Sequence, residues 1–161
     1  MIHLSWLDFL LRHLPEGFII ILAGYAIAKK DINAKLYILS GVLLGVLNFA
    51  IKFLPVSSII HMVLSIVVAI SILTMINRLK PLYAILSTII CFILTVITEG
   101  INVFLLGQLF SLDMEKVFLE ASPLARNLYG LPSLIIFGII VLIYFLISRK
   151  RRKNVNNTKN S

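Results

Sequence analysis

Residues 82–106 read LYAILSTIICFILTVITEGINVFLL. A run of this length and apolarity crosses a bilayer, which takes roughly 20 residues of helix. It carries one charged residue, Glu99. A carboxylate at membrane depth costs roughly 2.5–3.5 kcal/mol on insertion scales. Glu99 is therefore expected to be partnered within the protein or to act there.

Four more apolar stretches flank this one, at about 14–28, 36–54, 57–76 and 129–148. Pro15, Pro55, Pro81 and Pro132 each open or precede a stretch, as suits a residue that costs no intrahelical bond in a first turn. The runs lack the period-two alternation of a barrel, and in lipid the remaining solution for the backbone is the helix. The expected fold is all-α, a membrane bundle of five transmembrane helices with one amphipathic outer helix. The first stretch is short unless it recruits residues before Pro15.

The composition agrees. Of 161 residues, 60% are hydrophobic and the mean hydropathy is +1.02. A soluble domain is about 45–50% apolar. One bundle over residues 1–148 and a basic, disordered tail over 149–161 account for the chain. Cys91 is the single cysteine, so no internal disulfide forms.

Net charge is +8, with five of the fifteen Lys and Arg in residues 149–153. This is a membrane-edge pattern, and the expected partner is the lipid bilayer, not nucleic acid. By the positive-inside rule the tail is cytoplasmic. The loops 29–35 (Lys29, Lys30, Lys35) and 77–81 (Arg78, Lys80) then fall on the same side. The connection 107–127, with Asp113, Glu115 and Glu120 against Lys116 and Arg126, falls outside. The expectation is a multi-pass cell-membrane protein, N-terminus out and C-terminus cytoplasmic. Ala26-Ile27-Ala28 also fits a signal-peptidase site. The mixed charges of Asp8, Arg12 and Glu16 before the run, and the four spans that cleavage would leave, weigh against it.

Two peripheral segments read as amphipathic. In 4–14, Ser5, Asp8 and Arg12 share a helical face with Glu16. That segment either lies in the interface or begins span one. In the outer connection, Phe110, Met114, Val117 and Phe118 recur at helical spacing, with Ser111 placed to cap a short helix over 111–120.

The strongly polar residues collect towards the outer side. They are Glu16 in span one, Asn48 and Lys52 in span two, His61 in span three, and Glu99 and Asn102 in span four. The inner half offers mainly Ser and Thr. These six are the candidate ligand-binding set. The competing readings are structural glue between helices, with Lys52 free to snorkel, and an ion or proton path. A path is disfavoured because the polarity is one-sided. Ser40, Gly41 and Gly45 form a small-residue stripe, suited to internal packing or to a dimer contact. No H-E-x-x-H, P-loop or paired-Asp motif occurs, and Cys91 and His61 differ in depth, poor placement for a dyad. An enzyme, a cofactor and a metal are not expected.

The order of features resembles a known arrangement. Leu14-Pro15-Glu16-Gly17 opens span one and Leu54-Pro55 separates spans two and three. The outer connection carries Ser111-Leu112-Asp113-Met114-Glu115, Ser122-Pro123-Leu124-Ala125-Arg126 and Gly130-Leu131-Pro132. Over about 14–148 this is similar to the multi-span N-terminal sensor region of Gram-positive GHKL-type, peptide-quorum-like histidine kinases. The resemblance implies a bundle that receives an extracytoplasmic or membrane-borne signal and passes it to a kinase. It stops at Lys153, without the dimerisation helix, phospho-acceptor histidine or ATP-binding domain. It thus implies a sensory or regulatory module acting through a partner membrane or kinase protein. The alternative is the substrate-binding membrane subunit of a small-molecule transporter.

Overall fold

The computed structural model describes Trp6 and residues 9–110 and 123–159. Among these there is no strand. Five helices account for nearly everything: α1 (Leu14–Ile27), α2 (Ala34–Ile51), α3 (Ser58–Met75), α4 (Pro81–Phe110) and α5 (Pro123–Lys159). With the helical residues that run into α1 from Phe9, five stretches are long and apolar enough to cross a membrane. The expected surface helix over 111–120 lies outside the described residues.

The start of span one is settled by a π-helical stretch, Phe9–His13, that runs straight into α1. Pro15 brings no N–H and its ring crowds the carbonyl four residues back; the wider π turn gives that carbonyl room. The span is Phe9–Ile27. The polar segment thus begins span one instead of lying apart from it.

α1 is the centre of the bundle and touches every other helix. Ile21, Tyr25 and Ala26 are at most 1% exposed. Its tightest contact is with α2. A Cβ on Gly17 would stand 2.6 Å from the Gly41 carbonyl oxygen and 3.0 Å from the Gly45 nitrogen. The G-x-x-x-G stripe of α2 is therefore spent on packing inside the chain, where small residues let two backbones approach. The outward faces of α2–α5 are covered with exposed Ile, Leu, Val and Phe, the surface that lipid wets.

One end of the bundle is fixed by a few bonds. Ser148 Oγ donates to the Ala26 carbonyl (3.0 Å), which ties the end of α1 to α5. At that same end Lys30 Nζ donates to the carbonyls of Asn77 (2.8 Å) and Arg78 (3.2 Å), clipping the α1–α2 loop to the α3–α4 loop. Asn77 is fully buried. Its Oδ1 accepts from Tyr25 Oη, and its Nδ2 donates to Ser40 Oγ and the Ile72 carbonyl. Both helices turn off through a left-handed residue, Lys29 and Arg78, each at φ 51°. After α1 the Lys30 N–H returns to the Tyr25 carbonyl and the Lys29 N–H to that of Ala26, the paired closure of a Schellman motif.

Three expectations change. Polarity is not one-sided: Asn77, read as a loop residue, is a buried hub at the basic end. Pro132 does not open a span but lies inside α5, because the residues before it already form helix against α4. And the tail, expected to be disordered, is helical to Lys159.

Candidate functional site: a charged cleft between three helices

At the end of the bundle away from Lys30, α1, α4 and α5 leave a cleft. The π turn sets Arg12 one turn before Glu16, on the same face. Arg12 Nη2 donates to Glu99 Oε1, and the two form an ion pair between α1 and α4. Both side chains are about two-fifths exposed, 41% and 42%. Glu16 lies deeper, its carboxylate 3.9 Å from His13 Nδ1. The His13 ring packs on Phe49 of α2.

α5 supplies the third wall through its break at Pro132. Gly130 lies against Arg12, with room for an ordinary contact of 3.5 Å to Nη1. Ser133 Oγ donates to the Gly130 carbonyl (2.7 Å). From α4, Asn102 Nδ2 donates to the Tyr129 carbonyl (2.6 Å). Pro132 weakens the helical ladder here, and side-chain donors fill in within the same turn. Ser133, Leu134 and Phe137 complete the wall.

The floor is made of acceptors. Thr95 and Thr98 line it but spend their protons on their own helix, Thr95 on the Cys91 carbonyl and Thr98 on that of Leu94. The cleft thus offers one guanidinium, two carboxylates and hydroxyl lone pairs. Its interior leaves a cavity of about 20 Å³, room for about one water. Ligand pockets run from roughly 300 to 1,000 Å³, so this space suits a proton, water or a small ion better than an organic substrate. Among the described residues no group of three or more His, Cys, Asp or Glu side chains is placed to hold a metal.

Of the six candidate residues, Glu16 and Glu99 share the cleft. Asn102 stands one turn above Glu99, committed to α5. Lys52, exposed at the end of α2, acts on Glu16 through its charge, as Arg12 and Glu99 do. Asn48 is 8% exposed on α2 and its Oδ1 accepts no hydrogen bond among the described residues. His61 lies on α3 with Nδ1 buried, and among the described residues that nitrogen has no hydrogen bond and nothing joins the side chain to the cleft.

Arg12 was missed as a site residue, because it precedes Pro15 and falls outside the apolar run. The available signal was its four-residue spacing from Glu16. No family model, curated protein or solved structure matches the chain.

Proposed function

We propose that this multi-pass membrane protein is a sensory or regulatory module, with the charged cleft on the outer side and the basic end in the cytoplasm. One observation carries the reading. The helix that walls the cleft, α5, continues past the Ser148–Ala26 hydrogen bond through the basic stretch 149–153 to Lys159. A change in the Arg12–Glu99 pair bears on Gly130 and the Pro132 turn of a helix that exposes Arg149, Lys150 and Arg151 at the other end of the bundle. The proposed partner is a kinase or another membrane protein. The orientation rests on Lys and Arg at one end of the bundle.

The transporter-subunit reading asks for a pocket that holds an organic substrate, and the cleft volume weighs against it. Crosslinking in intact cells from a photoreactive side chain at Lys150 tests the proposal. Capture of a signalling protein, lost or altered in Glu99→Gln at unchanged abundance, supports it. Capture of an ATPase subunit, or a pattern indifferent to Glu99→Gln, overturns it. A response-regulator or kinase gene beside this one points the same way as the first outcome.

A further inference from the structure

The end opposite the cleft carries a second surface. Three segments converge there, tied by the Ser148–Ala26 bond and by the clip from Lys30 to Asn77 and Arg78. They bring together Lys35, Arg78, Lys80, Arg149, Lys150 and Arg151, all exposed. The one carboxylate in these segments is Asp31.

Immediately beneath this collar the surface turns apolar. Met75 and Leu82 are 79% and 72% exposed, and Leu146 and Ile147 about half. Cations one turn above open aliphatic side chains match a ligand with an anionic head and hydrocarbon below it. Arg149, Lys150 and Arg151 follow one another at about 100° per residue, so they point around the helix instead of along one stripe. Such a collar meets a plane of phosphates better than a single acidic helix.

We propose that the basic end binds the phosphodiester headgroups of anionic phospholipids between the α3–α4 loop and the emerging α5, with acyl chains against Leu82, Leu146 and Ile147. Each Lys or Arg near an anionic surface strengthens binding about fivefold. The attraction is screened over roughly 10 Å at 0.1 M salt.

The test uses the full chain in a neutral detergent, with phosphatidylglycerol or phosphatidylcholine added and thermal unfolding followed by circular dichroism. Phosphatidylglycerol should raise the midpoint, phosphatidylcholine should not, and roughly 0.5 M salt should erase most of the difference. Arg149→Gln/Lys150→Gln/Arg151→Gln should weaken the response by about two orders of magnitude, and Arg78→Gln/Lys80→Gln by more than tenfold. Equal effects of the two lipids overturn the proposal, as they would if the collar serves an acidic protein. So does equal stabilisation by inorganic phosphate, or a triple variant that folds and responds as the wild type. If a variant does not fold, the salt dependence of the wild-type preference decides.

Discussion

Arg12 stands between two carboxylates, and removing different members of the trio should cost different amounts. Glu99→Gln leaves Arg12 with Glu16 and keeps the shape, so a loss of about 1 kcal/mol is expected. Arg12→Met leaves Glu16 and Glu99 facing each other without their cation. A fully buried pair broken in this way costs roughly 3–5 kcal/mol, and solvent at the mouth discounts that to about 2. The double variant Arg12→Met/Glu99→Gln should be more stable than Arg12→Met alone. Thermal unfolding in detergent measures all three, and additive losses would show that the two residues are not coupled. Asn77 is the other residue on which much depends. Asn77→Ala strands the Tyr25 hydroxyl and removes the link to Ser40 in a fully buried place, for an expected loss of about 2–4 kcal/mol. Both residues were hard to read in the sequence for one reason. Each lies just outside an apolar run, where a polar side chain ordinarily means solvent. Only the packing of other helices against them turns that polarity inward.

At the scale of elements, the α1–α2 seam and the α5 break each make a prediction. Gly17→Ala places a methyl into the backbone of α2, which has no side chain to move aside. It should lower stability by more than about 2 kcal/mol. Gly100→Ala meets nothing within 4 Å and should be neutral or stabilising by up to about 1 kcal/mol, from helix propensity alone. If both alanines behave alike, the seam is looser than described. In α5, Asn102→Leu should cost about 1 kcal/mol beside Pro132 and measurably less in Pro132→Ala, because a restored ladder needs less help from α4. The five helices were legible because hydrophobic runs of membrane length admit few alternatives. Their ends were not. Pro132 lies mid-helix because the preceding turn packs on α4, and span one starts early because a π turn accommodates Pro15. Depth alone put Glu16, Glu99 and Asn102 at one end of the bundle, and they do lie together at the end away from Lys30. Depth carries no azimuth, so it did not separate His61 from the cleft or pair Glu99 with Arg12.

For the molecule as a whole, five spans place the two chain termini on opposite sides of the membrane in the proposed arrangement. Single cysteines at Lys150 and Val56, in a Cys91→Ala background, should label oppositely. Val56→Cys should react with an impermeant maleimide on intact cells, and Lys150→Cys only after permeabilisation. Labelling of Lys150→Cys from outside would invert the proposed arrangement. The two left-handed residues bear on how that arrangement is reached. Glycine fits such a position most easily, and the chain has Lys29 and Arg78 there. Lys29→Gly and Arg78→Gly should relieve backbone strain worth about 1 kcal/mol each and leave the folded bundle as stable or more so. The same changes subtract a cation from each short loop at the moment the nascent helices choose a side. The double variant should therefore yield a mixed population of upright and inverted chains during biosynthesis, each durable once made.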